Sequence, residues 1–164
     1  EAAMRAIVGQ QVSVKAACTL LTRVTARCSK VVENNSWGLT QALPMAQDIL
    51  DHDLSGLGLT AARINSLKIV ASLKIKEPEV FDFDYDSELR QQKLLAIKGI
   101  GPWTVSYLEM RAFSNPDAFP AGDLGVCIAL EKNGVRPTEK QVREMSVSWA
   151  PWRAYATTLL WKRL

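Results

Sequence analysis

The sequence predicts an all-α fold on three observations. Apolar residues recur at helical spacing along most of the chain, cap and turn residues punctuate those runs, and no two segments alternate as paired strands do. At 164 residues the chain can bury a core as one domain or as two small lobes sharing a cleft.

From residue 1 to about 28, Ala3, Ile7, Ala17, Leu21 and Val24 keep near-helical spacing. Glu1 brings no helix start signal, so the chain reads as a fragment that opens inside or just before a helix. "NNSWG" at 34–38 reads as a loop, and "TQALPMAQDILDHDL" as a short helix with Pro44 in its first turn. "AARINSLKIVASL" is a further helix. "KEPEVFDFDYDS", with a proline among alternating acids and aromatics, would lack strand partners and is expected as an extended connection. Ser87 is placed as N-cap of "SELRQQKLLAI", "PWTVSYLEMRAF" resumes the helix after two glycines, and "SNPDAFPAGD" is a proline-marked loop. "LGVCIALEKNG" is expected to close on Gly134, "TEKQVREMSVSWA" to open on Thr138 with a capping box, and the last helix to start on Pro151.

Composition narrows the class without fixing it. Hydrophobic residues make up 48% and charged residues 23%, with no apolar run near the roughly 18 residues of a membrane span and no recognisable signal peptide. A net charge of +3 permits a polyanionic partner but does not demand one. Cys18, Cys28 and Cys127 are odd in number, scattered and without a CxxC pair, which argues against a disulfide framework or a cysteine metal centre and fits a reducing, intracellular compartment. His52 is the sole histidine; serine–histidine catalysis would have to run through it, and a solvated loop or helix end is the simpler reading.

A helix, a Gly-x-Gly turn and a second helix occur twice, at Gly56-Leu57-Gly58 and at Gly99-Ile100-Gly101. Asp48, Asp51 and Asp53 precede the first turn; Arg90, Lys93 and Lys98 precede the second. A helix N-terminus behind a glycine turn offers unpaired N–H groups and the positive end of the dipole to an anion, and only the second turn carries charge that welcomes one. Pro102 suits the first helical position, and Thr104 could add a hydroxyl to the anion contact. A plain αα-hairpin whose glycines merely permit the turn stands beside this reading.

"LLAIKGIGPWTVSYLEMRAF", "DAFPAGDLGV" and "WAPWRAYATTLLW", with "MRAIVGQQVSVKAA" near the start, together resemble the helix-hairpin-helix (HhH-GPD) DNA glycosylase superfamily over nearly the whole chain. Within it the sequence looks most like the DNA-3-methyladenine glycosylase II branch of alkylation repair. The resemblance implies two helical lobes flanking an active-site cleft, with the hairpin at about 88–112, and a β-rich N-terminal domain in relatives that is not in this chain.

It also implies roles. Gly99 and Gly101 would grip a DNA phosphate through their N–H groups, with Lys98 and Thr104 beside them. The backbone carbonyls of Leu95, Ile97 and Ile100 would hold a monovalent cation, sodium or potassium, bridging to that phosphate. Asp123 takes the position of the catalytic aspartate; the residue pattern alone makes it a helix N-cap, and both can hold. Trp103, Tyr107 and Trp161 match aromatics that line the base pocket, where core packing is the rival reading, whereas Trp149, Trp152 and Tyr155 read as structural. Gln11 stands where the branch keeps the wedge that fills the gap left by a flipped nucleotide, often as an apolar residue, and Leu124 stands where some relatives carry an aromatic.

Enzymes of the superfamily that also cut the backbone keep a lysine where this chain has Trp103, which cannot be a nucleophile. The four-cysteine iron–sulfur motif of other branches is missing. The expectation is a monofunctional glycosylase that needs no cofactor. It would act as a monomer on double-stranded DNA containing alkylated bases, without a membrane, in the cytoplasm of a bacterium at its nucleoid or in a eukaryotic nucleus. The alternative is a non-catalytic helix-hairpin-helix DNA-binding module.

Overall fold

A computed structural model describes residues 1–33, 36, 38 and 40–164; most of the loop predicted at 34–38 lies outside them. Among the described residues the regular structure is helical, with only isolated bridges at Val31–Gln41 and Lys132–Val135. No helix among them is long and apolar enough to cross a membrane. The chain forms two compact units, Glu1–Ile100 and Gly101–Leu164.

The first unit holds α1 (Ala2–Val8), α2 (Val14–Cys28), α3 (Ala46–Asp51), α4 (Ala61–Lys76) and α5 (Ser87–Leu95). Its core is apolar, with Ile7, Val8, Val24, Leu54 and Leu94 fully buried. α4 packs on α1 and α3, and α1 on α2. The helical spacing over residues 1–28 resolves into two helices rather than one. Ser13 caps α2 by accepting the Ala16 N–H at 3.2 Å, and Gln11 sits at φ +53, a left-handed conformation incompatible with helix.

Three further expectations need correction. Pro44 lies outside α3, because the turn is closed by the Asp48 carboxylate accepting the Met45 N–H at 2.8 Å, a donor that proline lacks. The segment after Lys76 is not simply extended: Pro78–Phe81 forms a 3₁₀ turn that buries Val80, and Arg90 donates to the Asp82 carbonyl at 2.9 Å. The N-cap of α5 is Asp86, which accepts the Leu89 N–H at 2.8 Å; Ser87 is already helical. A carboxylate is favoured there by the helix dipole.

The second unit holds α6 (Pro102–Arg111), α7 (Leu124–Ala129), α8 (Glu139–Ser146) and α9 (Arg153–Trp161). Phe119, Ala121, Val126, Val142 and Leu160 form its core, with Trp149 and Trp161 packed against it. The Phe119 and Trp149 rings meet edge to face at 5.7 Å. The predicted capping box of α8 is present: Thr138 Oγ1 accepts the Gln141 N–H at 3.3 Å, and Gln141 Oε1 accepts the Thr138 N–H at 2.8 Å.

Gly134 does not close α7. The helix stops at Ala129, and Asn133 and Gly134, both at positive φ, form a tight turn in which Lys132 and Val135 exchange hydrogen bonds. Nor does α9 start on Pro151, because the Ala154 N–H bonds outside its helix, to the Pro116 carbonyl at 2.9 Å. Of the three aromatics read as structural, Trp149 is partly buried against the core, but Trp152 and Tyr155 are mostly exposed and pack edge to face on one another at the surface.

Candidate active site

Asp123 caps α7, the helix that follows the buried loop segment Ala118–Ala121. Its Oδ1 accepts the Val126 N–H at 2.9 Å, as an N-cap should. Two indoles do more. Trp161 Nε1 donates to the same oxygen at 2.8 Å, and Trp103 Nε1 donates to Oδ2 at 2.9 Å. Both carboxylate oxygens are therefore engaged by N–H donors from three helices, and the group is only 9% exposed. Such a carboxylate is fixed in orientation and needs no reorganisation when positive charge develops beside it.

Trp103 and Tyr107 stand four residues apart on α6, on one face. Their rings stack at 5.4 Å with an interplanar angle of 23°, and Tyr107 meets Trp161 at 6.4 Å and 42°. Centroids about 4.5–7 Å apart belong to rings in direct contact. As they stand, the Trp103 and Tyr107 rings touch and leave no gap for a base between them. All three rings remain partly exposed.

α9 is tied down at its start so that its last residue can reach the carboxylate. Arg153 Nε donates to Asp117 Oδ1 at 2.7 Å, and a second guanidinium nitrogen engages Oδ2. The Arg153 hydrogen bonds hold the Asp117 carboxyl below its usual range, and Asp117 raises Arg153 in turn. Asp117, read from sequence only as loop, is thus the anchor of α9. Leu124, next to Asp123, is exposed. Burial, then the neighbouring Asp123 charge, pushes the Cys127 thiol up, away from nucleophilic thiolate.

Sequence reasoning missed Gly125. A Cβ there would stand 3.0 Å from Asp123 Oδ1 and 3.1 Å from both Trp161 Cδ1 and Leu164 Cδ1. Only glycine lets the indole close on the carboxylate without displacement. "DLG" directly after the loop was the available signal, and glycine's close approach is a known use of that residue.

The first unit carries the turn before α6. Gly99 has φ +92, and a Cβ on it would lie 2.4 Å from Ser66 Oγ, so both conformation and space call for glycine. Ser66 Oγ stands 2.9 Å from the Lys98 carbonyl and 3.0 Å from that of Ala62, and Gln10 Nε2 donates to the Gly99 carbonyl at 2.9 Å. The Ile97 carbonyl accepts the Ile100 N–H at 2.9 Å. The Ile97 and Ile100 residues are buried, and Leu95, Lys98 and Gln11 are exposed. Gly101, the N-cap of α6, faces open space where a Cβ would go. Thr104, in the first turn of α6, is 2% exposed.

The other glycine turn is differently employed. Arg23 donates to the Leu57 carbonyl at 3.2 Å and Arg27 to that of Asp53 at 3.0 Å, while a Cβ on Gly58 would press on Arg23 and Leu20 at 3.1 Å. It braces α2 against the following loop. Of the residues singled out from sequence, Asp123, Trp103, Tyr107 and Trp161 converge in the second unit. Gln11, Leu95, Ile97, Lys98, Gly99 and Ile100 belong to the first, and Gly101 and Thr104 open the second.

The helices, the glycine turn and the capped aspartate define a class: the chain belongs to the HhH-GPD superfamily of base excision DNA repair proteins, whose family model matches residues 4–152. Its particular relatives are repair enzymes. It is 38% identical to the probable bifunctional transcriptional activator/DNA repair enzyme AlkA of Mycobacterium tuberculosis, over 100% of this chain and 33% of that protein. The 3-methyladenine DNA-glycosylase of Archaeoglobus fulgidus superposes with a TM-score of 0.84 at 27% identity, covering 98% of this chain and 56% of the other. The Schizosaccharomyces pombe 3-methyladenine DNA glycosylase, solved with abasic DNA, superposes with a TM-score of 0.78 at 29% identity, covering 98% and 78%. The chain thus spans a third of the M. tuberculosis protein and about half of the archaeal one.

Proposed function

We propose that this chain is a monofunctional DNA N-glycosylase that removes alkylated bases such as 3-methyladenine from duplex DNA, leaving an abasic site. The observation that carries this is the Asp123 carboxylate, nearly buried, with its two oxygens held by Trp103, Trp161 and Val126 N–H groups beside three partly exposed aromatic rings. Relatives named for 3-methyladenine removal, one of them solved with abasic DNA, support the same chemistry.

In the reaction the base departs with the electron pair of its N-glycosidic bond, and positive charge grows on the deoxyribose. A fixed anion stabilises that charge, and water then adds to the sugar carbon and gives up a proton. N-alkylation leaves the purine cationic, which makes it a good leaving group and attracts it to aromatic faces. Since Trp103 and Tyr107 already stack on one another, the extruded base packs on the outer face of the trio rather than between those two. An indole at position 103 offers no amine to attack the sugar, so the backbone stays intact.

DNA is held elsewhere on the chain. Gly99 and Gly101 offer N–H groups to a phosphate, Lys98 adds charge, and Gln11 fills the space vacated by the flipped nucleotide. The Leu95, Ile97 and Ile100 carbonyls would hold a monovalent cation: they are neutral oxygens, Leu95 ends α5 where carbonyls lack helical partners, and the Ile97 oxygen, which accepts the Ile100 N–H, keeps a second lone pair for the ion. Such an ion would add positive charge at the phosphate. The protein works as a monomer and calls for no other cofactor.

Incubation with methylated duplex DNA tests this. Chromatography should show free 3-methyladenine, and strands should break only after alkali treatment. Breakage without alkali would contradict the monofunctional assignment. Binding with no base release would make the chain a helix-hairpin-helix binding module instead.

A further inference from the structure

We propose that Gln10 is a positioning residue that ties the turn presenting Gln11 to the Gly99 turn, an inference that rests on the glycosylase reading above. Two short turns of the first unit, Gly9–Ser13 and Ile97–Ile100, are both bound to one helix, α4. Arg63, in its first turn, donates to the Gln10 carbonyl; Ser66, three residues on and on the same face, reaches the Lys98 carbonyl at 2.9 Å. The Gln10 side chain closes the triangle by donating from Nε2 to the Gly99 carbonyl at 2.9 Å, across 89 residues of sequence.

These bonds set peptide planes. A trans peptide points its N–H opposite to its C=O. With the Lys98 oxygen turned toward Ser66, the Gly99 N–H of that same peptide is turned away from α4, free of its own turn's inward side. The next peptide is pinned at both ends, its Gly99 oxygen by Gln10 and its Ile100 N–H by the Ile97 carbonyl.

On the other turn, Gln11 is a non-glycine residue at φ +53, exposed. A conformation of that kind persists only where the surroundings hold it. Gln10 supplies the hold from the residue before, through its carbonyl to Arg63 and its amide to Gly99. The wedge is thereby set before DNA arrives, at a fixed register to the turn that grips phosphate, and inserts without first paying for ordering.

Gln10→Met keeps length and removes the amide donor. Single-turnover release of 3-methyladenine should slow by about threefold to tenfold from duplex DNA, the worth of one such hydrogen bond, but by less than about twofold from the same oligonucleotide single-stranded, where no stack needs holding open. Gln11→Ala should show the same duplex-selective loss, and Gln10→Met with Gln11→Ala together should lose little more than Gln11→Ala alone. Equal slowing on both substrates marks general damage to the fold and overturns the proposal, as does no slowing on either, or a double variant whose loss is the product of the single losses. If the unaltered protein releases no base from either substrate, the glycosylase reading itself falls and takes this proposal with it.

Discussion

Trp161→Phe isolates one of the bonds that hold the candidate catalytic carboxylate. The change keeps an aromatic ring against Tyr107 and the second-unit core, and deletes the Nε1 donor that stands 2.8 Å from Asp123 Oδ1. Hydrogen bonds to charged groups contribute about 1.5–3 kcal/mol. Because Oδ1 keeps the Val126 N–H at 2.9 Å, the loss belongs at the lower end, about 1.5 kcal/mol, or roughly tenfold in rate. Trp103→Phe removes the indole donor on which Oδ2 relies, so its loss belongs nearer the upper end, about 3 kcal/mol, or roughly a hundredfold. The assay is single-turnover release of 3-methyladenine, set beside affinity for a duplex carrying a stable abasic-site analogue. The rate constant should fall and the affinity should stay within about twofold, since the bond acts in the step that develops charge. A full-rate Trp161→Phe enzyme, or one whose rate loss is matched by an equal loss of affinity, would refute the view that the indoles serve the carboxylate.

Three other perturbations follow from the same geometry. Gly125→Ala places a methyl 3.0 Å from Asp123 Oδ1 and 3.1 Å from Trp161; overpacking of about 1–3 kcal/mol should lower the melting temperature by several degrees, and base release should fall further than Trp161→Phe alone. Gly99→Ala combines an unfavourable φ of +92 with a contact at 2.4 Å to Ser66 Oγ, and should destabilise by about 1–3 kcal/mol in a melt; adding Ser66→Ala should restore only part, because the backbone cost stays. Asp117→Asn removes the Arg153 ion pair, whose partners are about one-third exposed, so solvent screening limits its loss to about 1 kcal/mol. The folded Asp117 carboxyl titrates below its unfolded value, so the contribution is complete above the ordinary aspartate range near pH 3.9 and vanishes as pH falls through the folded value. Melting curves of the two proteins should therefore differ at pH 7 and converge on acidification toward pH 2.

The helical class was legible because its signals are local. Thr138 with Gln141, Pro102 at the first position of α6 and the runs of α4 and α6 each speak within one or two turns. Where a local signal had competitors, it misled: Ser87 beside Asp86, Gly134 beside Asn133, and continuous apolar spacing across the break at Gln11. The site was readable as residue types, an aspartate at a helix start and aromatics at helical spacing. Its geometry was not, because Trp103 and Trp161 reach Asp123 across 20 and 38 residues, a tertiary contact that no spacing rule encodes. The same holds for Gln10, whose partner is 89 residues away, and for Gly125, where the informative feature is a missing side chain.

Asp123→Asn tests the central claim most directly. The substitution preserves size and an oxygen for the Val126 N–H, while removing the charge and turning an NH₂ toward one of the indole donors. With DNA affinity close to that of the unaltered protein and the variant folded at the assay temperature, release of 3-methyladenine under single-turnover conditions should drop by at least about a hundredfold. Release at the original rate would contradict the assignment of Asp123 as the group that stabilises the departing base's sugar.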